Sequence, residues 1–298
     1  MSGEAGARIA RRVQTRELGV VIGISTAVLS VEIAGGLLSG SLALLSDAGH
    51  MLTDILALVL SLMAVRFSSL PATPNKTYGY HRLEILTALV NGTLLIAISG
   101  GLLYKAGRRF FSPVPVQSGL MTGVAVAGLI ANLVALAILS RQHRSLNIRG
   151  ARMHILGDAL SSVGVVLAGI LISITGVDRI DPVVGGMIAV VIVVGALRLV
   201  REAVDILLES APAGIVLDDV SAVIGTVAGV LEVHDLHVWT ITTGLLALSG
   251  HVRVDDPRGA QMDEMLNRIK GALHERFGIV HSTIQIESST YQELGDVH

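Results

Sequence analysis

Hydrophobic residues occur in six long runs over the first two hundred or so residues, and short polar segments separate these runs. The runs cover residues 18–38, 42–65, 85–103, 119–139, 154–175 and 183–199. Each is close to the ~20 residues that an α-helix needs to cross the hydrocarbon core of a bilayer. The pattern therefore predicts a polytopic α-helical membrane protein with six transmembrane helices.

The pattern changes from about residue 211, where the apolar runs shorten and charged residues return. Helical spacing at 211–230 is followed by strand-like alternation at 231–242 and 245–255, an amphipathic helix at 260–277 and a last strand at 281–287. This order predicts a compact α+β domain. We therefore divide the chain into an N-terminal segment (1–17), a transmembrane domain (18–210) and a polar C-terminal domain (211–298).

Composition and charge support this class and set the orientation. The chain is 51% hydrophobic and 15% charged, with a mean hydropathy of +0.68, which is typical of a membrane protein. Most Lys and Arg residues near the ends of the runs lie on one predicted side, and that side is the cytoplasm by the positive-inside rule. We expect a multi-pass protein of the inner or plasma membrane, with both termini cytoplasmic and without a cleavable signal peptide. The chain has no cysteine, so any metal must be held by nitrogen and oxygen, and no basic, aromatic-rich patch indicates a nucleic-acid partner.

Ionisable residues interrupt two of the apolar runs. His50 and Asp54 are four residues apart, and His154 and Asp158 repeat that spacing, so each pair lies on one face of its helix. Charged residues within a bilayer are costly and are usually functional. Together the pairs offer two imidazole nitrogens and two carboxylates, which suits tetrahedral Zn²⁺. The alternative is that they are hydrogen-bonding partners between helices.

Asp47 lies one turn before His50, and three roles are open to it: a hydrogen-bonding partner of the ligands, a helix cap or a direct ligand. Glu32 is a further charge within a run, and it either touches the path that a metal ion would take through the bundle or pairs with a neighbouring helix. The two His/Asp pairs can meet only if the fifth helix begins near residues 145–147. Its basic first turns would then line a wet cytoplasmic cavity through which the ion enters.

A metal site of this kind favours transport coupled to protons, since a histidine must be neutral to bind metal and Zn²⁺ therefore competes with H⁺. The alternatives are an exporter of another divalent ion such as Co, Cd or Fe, a membrane zinc sensor, and a membrane metalloenzyme. A site closed by four protein ligands argues against the enzyme, because catalytic zinc keeps a position open for water.

Four motifs carry a family resemblance: "GGLLSGSLALLSDAGHMLTD", "YGYHRLEILTALVNG", "HILGDALSSVGVV" and "IDPVVG". The chain resembles the zinc-transporting branch of the cation diffusion facilitator family after residue 16. The resemblance implies a homodimeric Zn²⁺/H⁺ antiporter with six spans and a ferredoxin-like cytoplasmic domain. It also implies that His50, Asp54, His154 and Asp158 are the transport ligands, with histidine at the first of these positions associated with zinc preference.

The C-terminal domain carries further candidates. Alternation places His251 on a polar face of its strand, and His281 and Glu287 share the polar face of the last strand. The resemblance implies a cytoplasmic zinc site at His234, His251 and Glu287, with His281 as a plausible addition; exposed polar strand residues are the alternative. It also implies an interlock between Arg82 and Glu209 near the dimer contact, unless these are two ordinary surface charges.

Overall fold

The computed structural model describes the backbone of residues 2–68, 73–140, 146–255 and 259–291. Within these ranges, the side chains of residues 2–19, 21, 57–58, 60–68, 139–140, 146–152, 154 and 259–260 are outside the description. Contacts divide the chain into two compact units. The first comprises Met1–Leu62 and Val90–Val200, and the second comprises Met63–Leu89 and Arg201–His298.

Six long helices account for the apolar two thirds of the chain. They are α1 (Ser2–Ser39), α2 (Leu42–Ser68), α3 (Leu83–Phe111), α4 (Ser118–Ser140), α5 (Leu146–Thr175) and α6 (Ile180–Leu207). Among the described residues, five of these helices meet the length and hydropathy that a membrane span requires, and α2, with 27 residues, is the sixth long helix. The predicted helical membrane domain is confirmed, and α5 begins at Leu146, where the spacing of its ligands requires it to begin.

Small residues let the helices of the first unit approach closely. α4 packs against both α1 and α5, and a buried cluster joins α2, α4 and α5. Its members are mostly small or branched: Ala43, Leu44, Met121, Ala125, Val165, Ala168 and Ile172. At Gly35 of α1, an added Cβ would lie 2.6 Å from the side chain of Val124, so α4 reaches α1 only because this residue has no side chain.

The N-terminus of α2 is held by a carboxylate from another helix. Asp181, at the start of α6, is fully buried and accepts hydrogen bonds from the Ser41 hydroxyl (2.6 Å) and from the backbone N–H groups of Leu42 (2.7 Å) and Ala43 (3.1 Å). The first N–H groups of a helix have no partner within it, and they carry a partial positive charge. Asp181 therefore caps the helix that carries His50 and Asp54.

The C-terminal domain consists of α7 (Leu217–Gly225), β1 (Val230–Thr242), β2 (Leu245–Val254), α8 (Gly259–Phe277) and β3 (His281–Ser288). β2 lies in the centre of the sheet, antiparallel to β1 and parallel to β3. The helices cover one face around a core of Val220, Ile224, Val238, Leu248, Val252, Val254, Ile269, Leu273 and Ile279. This confirms the predicted α+β arrangement, which is consistent with a ferredoxin-like fold.

One predicted element is shorter than expected. The helix predicted over 211–230 is a helix of nine residues, α7. Pro212 lacks a backbone N–H, Gly214 has a positive φ of 88° and Val216 is extended, so the chain cannot become helical before Leu217. The helix ends before Gly229, whose φ is 95°.

Candidate metal centres

Three of the four predicted transport ligands meet in the first unit. The imidazole Nε2 of His50 lies 3.5 Å from Asp54 Oδ2 and 3.8 Å from Asp158 Oδ1. One ligand atom from each residue lies within 4.8 Å of the others. His50 and Asp54 face Asp158 because residues four apart share a face of α2. The arrangement brings one nitrogen and two carboxylates to a point that one metal ion can bridge.

The fourth predicted ligand, His154, lies on α5 one turn before Asp158, and its side chain is outside the described residues. Asp47 is 2% exposed and accepts a hydrogen bond from the Ser162 hydroxyl at 3.4 Å. In this arrangement Asp47 does not join the three clustered donors. Of the roles open to it, the geometry favours a supporting carboxylate between α2 and α5.

A cavity of about 760 Å³ reaches His50 between α3, α5 and α6. Its walls are mostly aliphatic, with Leu160, Leu167 and Val191 among the lining side chains. Such a surface does not hydrate an ion, so this cavity differs from the wet entrance that the sequence predicts. The predicted entrance lies along the first turns of α5, whose side chains are outside the description.

Glu32 of α1 is buried in the same bundle, with 1% of its surface exposed. Neither of its carboxylate oxygens has a hydrogen-bond partner among the described residues. An added Cβ at Gly128 of α4 would lie 2.7 Å from Glu32 Oε1, so the glycine makes room for the carboxyl group. Glu32 therefore approaches the neighbouring helix α4 closely, but it forms no hydrogen bond with the described residues of that helix.

A second cluster lies on the polar face of the sheet. Nδ1 of His251 is 3.0 Å from Glu287 Oε1, and Nε2 of His234 is 3.3 Å from Glu287 Oε2. His234 and His251 are register partners in β1 and β2, and Glu287 comes from β3, so all three strands contribute a donor. Although Glu287 lies on the polar face, it is 3% exposed because the two imidazoles cover it. The donor chemistry of two imidazoles and one carboxylate within 4.8 Å fits a zinc ion.

A β-bulge shapes this cluster, and sequence reasoning missed it. The β1–β2 register shifts between His234 and His237, and Asp235 adopts a positive φ of 46°. The bulge turns the Asp235 carboxylate toward two imidazoles, with Oδ1 2.9 Å from His237 Nε2 and Oδ2 3.6 Å from His251 Nε2. Strained backbone of this kind persists where surrounding structure enforces it, often at functional sites. The sequence signal that could have indicated this contact is Asp235 itself, a carboxylate that lies between His234 and His237.

His281 is not brought to this cluster. It opens β3 opposite Ala247, six positions from Glu287, which corresponds to roughly 20 Å along a strand. Its ring contacts Tyr78 edge-on, with centroids 5.7 Å apart. The structure thus separates this candidate from the other three residues.

The predicted charge pair is formed within the second unit. Arg82 Nη2 lies 2.5 Å from Glu209 Oε1, and both side chains are about half exposed, at 41% and 54%. At the start of α3, close in sequence to Arg82, the Glu84 carboxylate accepts hydrogen bonds from the hydroxyls of Thr242, the last residue of β1, and Thr243, in the turn that follows. The start of α3 is therefore tied to the strand hairpin through Glu84.

Comparison with known families matches both parts of the chain. The model described as "Cation efflux transmembrane domain" matches residues 18–208, and "Cation efflux protein, cytoplasmic domain" matches residues 212–289. Together they cover nearly the whole described chain.

Three curated relatives match most of the chain. The cadmium, cobalt and zinc/H⁺-K⁺ antiporter of Bacillus subtilis is 39% identical over 89% of this chain and 86% of its own length. The zinc transporter ZitB of Escherichia coli is 38% identical over 91% and 87%, and the metal cation efflux system protein CzcD of Cupriavidus metallidurans is 38% identical over 91% and 86%. Among solved structures, the metal-bound C-terminal domain of the CzcD transporter is 38% identical over 24% of this chain and 99% of that domain, with a TM-score of 0.23.

Proposed function

Because this chain belongs to the cation efflux family, we propose that it is a secondary transporter that exports Zn²⁺ from the cytoplasm in exchange for protons, by alternating access. It is a multi-pass membrane protein and not an enzyme. Its relatives are named as transporters of zinc or of cadmium, cobalt and zinc, one of them as an antiporter with H⁺ and K⁺.

The observation that carries this proposal is the convergence of His50, Asp54 and Asp158. Their donor atoms come from two membrane helices and lie within 4.8 Å of one another. We propose His154, one turn before Asp158 on α5, as the fourth ligand, which would give a set of two nitrogens and two carboxylates. Two aspartates balance the charge of Zn²⁺, which lowers the cost of holding the ion away from water.

Proton exchange follows from the chemistry of the same residues. An imidazole binds zinc only when its nitrogen is free of a proton. Zinc therefore displaces protons on the cytoplasmic side, and protons displace zinc where the site opens outward. The pH gradient across the membrane then drives zinc out of the cell.

The cluster of His234, His251 and Glu287 is proposed as a cytoplasmic zinc site. Its donors would hold the ion against the sheet, where binding stabilises the C-terminal domain. We further propose that the chain acts as a homodimer in the cell membrane, with both termini cytoplasmic. The division into residues 1–17, 18–210 and 211–298 is part of this proposal, and the matched ranges of 18–208 and 212–289 support it.

Zinc uptake into proteoliposomes under an imposed pH gradient tests the proposal. The interior of the vesicle receives the transported zinc and therefore corresponds to the exterior of the cell. Zinc should accumulate there when the interior is acidic, and accumulation should stop when the pH gradient is dissipated. Asp54→Ala and Asp158→Ala should abolish uptake, whereas Asp218→Ala, an exposed carboxylate of α7, should leave it unchanged. Uptake that survives both transport-site substitutions would refute the site.

The choice of ion is tested with a metal panel. His50 supplies the only described nitrogen of the transport cluster. Zinc prefers a ligand set that includes imidazole nitrogen to one made of oxygen atoms alone. His50→Asp should therefore weaken zinc transport relative to cadmium. Equal effects on both metals would show that His50 does not set the preference.

A further inference from the structure

Beside the transport cluster, the bundle contains a carboxyl group that metal binding does not use. Glu32 of α1 is 1% exposed, and no described residue donates a hydrogen bond to either oxygen. An ionised carboxylate in such a place lacks both water and donors, and this strongly disfavours its charged form. The neutral, protonated form removes that penalty.

The groups that face Glu32 strengthen this conclusion. Val28 and Leu29, one turn before Glu32 on α1, pack against Ala48 and Met51 of α2, so Glu32 lies near the turn of α2 that carries Asp47. Ser162 of α5 donates a hydrogen bond to Asp47, and Asp158 lies one turn before Ser162 on the same helix. α4 presents Gly128, and one turn further the buried amide of Asn132, neither of which titrates. No described Lys or Arg side chain supplies a compensating charge among these contacts.

Charge balance identifies which acid carries the proton. The carboxylates of Asp54 and Asp158 neutralise the charge of a bound Zn²⁺. Asp47 and Glu32 are two further acids whose negative charges the ion does not balance. Asp47 has the Ser162 hydroxyl as a donor, whereas Glu32 has none among the described side chains. Glu32 is therefore the carboxyl group that most needs a proton when the metal is absent.

We propose that Glu32 is a proton-binding site of the exchanger, separate from the metal ligands and coupled to them by charge. When Zn²⁺ binds beside Asp158, the negative potential at Glu32 falls and the carboxyl O–H releases its proton to solvent. When the metal leaves, the negative charges of the buried Asp47 and Asp158 are no longer balanced, and they draw a proton back to Glu32. This inference rests on the proposed zinc/proton exchange and adds a counter-ion site to it.

Proton release on zinc binding tests the proposal directly. Calorimetry of the purified full chain in buffers of different ionisation enthalpy gives the protons released per zinc bound, over a range of pH near neutrality. Glu32→Gln keeps the shape of the side chain but cannot release a proton, so we expect about one proton fewer per transport-site zinc than in the wild type. Glu32→Asp should restore the release, and Glu275→Gln, an exposed carboxylate of α8, should not change it.

A double substitution separates this effect from the cytoplasmic zinc site. In an Asp54→Ala background the transport site does not bind zinc, so adding Glu32→Gln should change nothing. An unchanged proton count in Glu32→Gln across the pH range would overturn the proposal, and so would loss of transport-site zinc binding in that variant, which would make Glu32 part of the metal site. If Asp54→Ala alone leaves zinc binding and proton release as in the wild type, the proposed function itself fails.

Discussion

Removal of the Asp181 carboxylate should destabilise the membrane domain. Among the described side chains that form hydrogen bonds at the ends of its helices, we expect this removal to have the largest effect. Asp181→Ala leaves three buried donors without their acceptor: the Ser41 hydroxyl and the N–H groups of Leu42 and Ala43. A hydrogen bond to a charged group contributes about 1.5–3 kcal/mol, and the three share one carboxylate, so their effects do not add fully. We expect a loss of about 3–5 kcal/mol in the free energy of unfolding.

Thermal unfolding of the full chain, at fixed detergent and zinc concentrations, measures this loss. For a domain of this size, 1 kcal/mol corresponds to roughly 2–4 °C in the melting temperature, so Asp181→Ala should melt roughly 6–20 °C lower. Asp181→Asn keeps one acceptor oxygen and should lose about 1–2 kcal/mol. Because the cap begins the helix that carries His50, zinc transport should fall as well.

Asp178 provides the matched control. It precedes α6 by two residues and accepts a single hydrogen bond, from the Val116 N–H at 3.1 Å, at a half-buried position. Asp178→Ala should cost about 1 kcal/mol. Equal melting temperatures for the two alanine variants would show that the cap on α2 does not stabilise the bundle in the way described.

Three further predictions follow from the described contacts. Glu287→Gln should remove about one zinc ion per chain from the purified protein, measured by metal analysis, because the carboxylate joins both imidazoles of the cytoplasmic cluster; unchanged zinc content would contradict that site. Arg82→Ala should lower stability by less than about 1 kcal/mol, since the ion pair is half exposed, and exchanging Arg82 and Glu209 for each other should restore it in thermal unfolding. Gly185→Ala should cost about 1–3 kcal/mol, because its Cβ would lie 2.9 Å from a backbone carbon at the start of α2, whereas Gly100→Ala, which meets open space, should be neutral.

Much of the fold was predictable because it depends on periodicity. Six apolar runs of bilayer length become six helices, and alternation in β2 places His251 on the half-exposed face while Val252 and Val254 are buried. The start of α5 at Leu146 was also predictable, since His154 and Asp158 can reach α2 only from a longer helix. Local backbone chemistry set the exception at α7, where Pro212 and Gly214 delay the helix despite its helical spacing.

The site was predictable only where residues lie close in sequence. The His50/Asp54 pair follows from one helix face, and Asp158 meets it through packing that the repeated motif indicated. His281 shares a strand face with Glu287, but a shared face does not give proximity, because β3 is extended and separates the two by six positions. Asp235 reaches His251 only through the bulge, which no alternation pattern predicts.

Asp181 and Glu32 show why buried acids cannot be interpreted from sequence alone. Both are carboxylates at the border or the interior of apolar helices, and both are almost completely buried. Asp181 accepts hydrogen bonds from three donors at the start of α2, whereas Glu32 faces a glycine of α4 and has no donor among the described residues. The same functional group therefore stabilises the bundle in one place and binds a proton in the other, and the difference depends on which helix end or helix face packs against it.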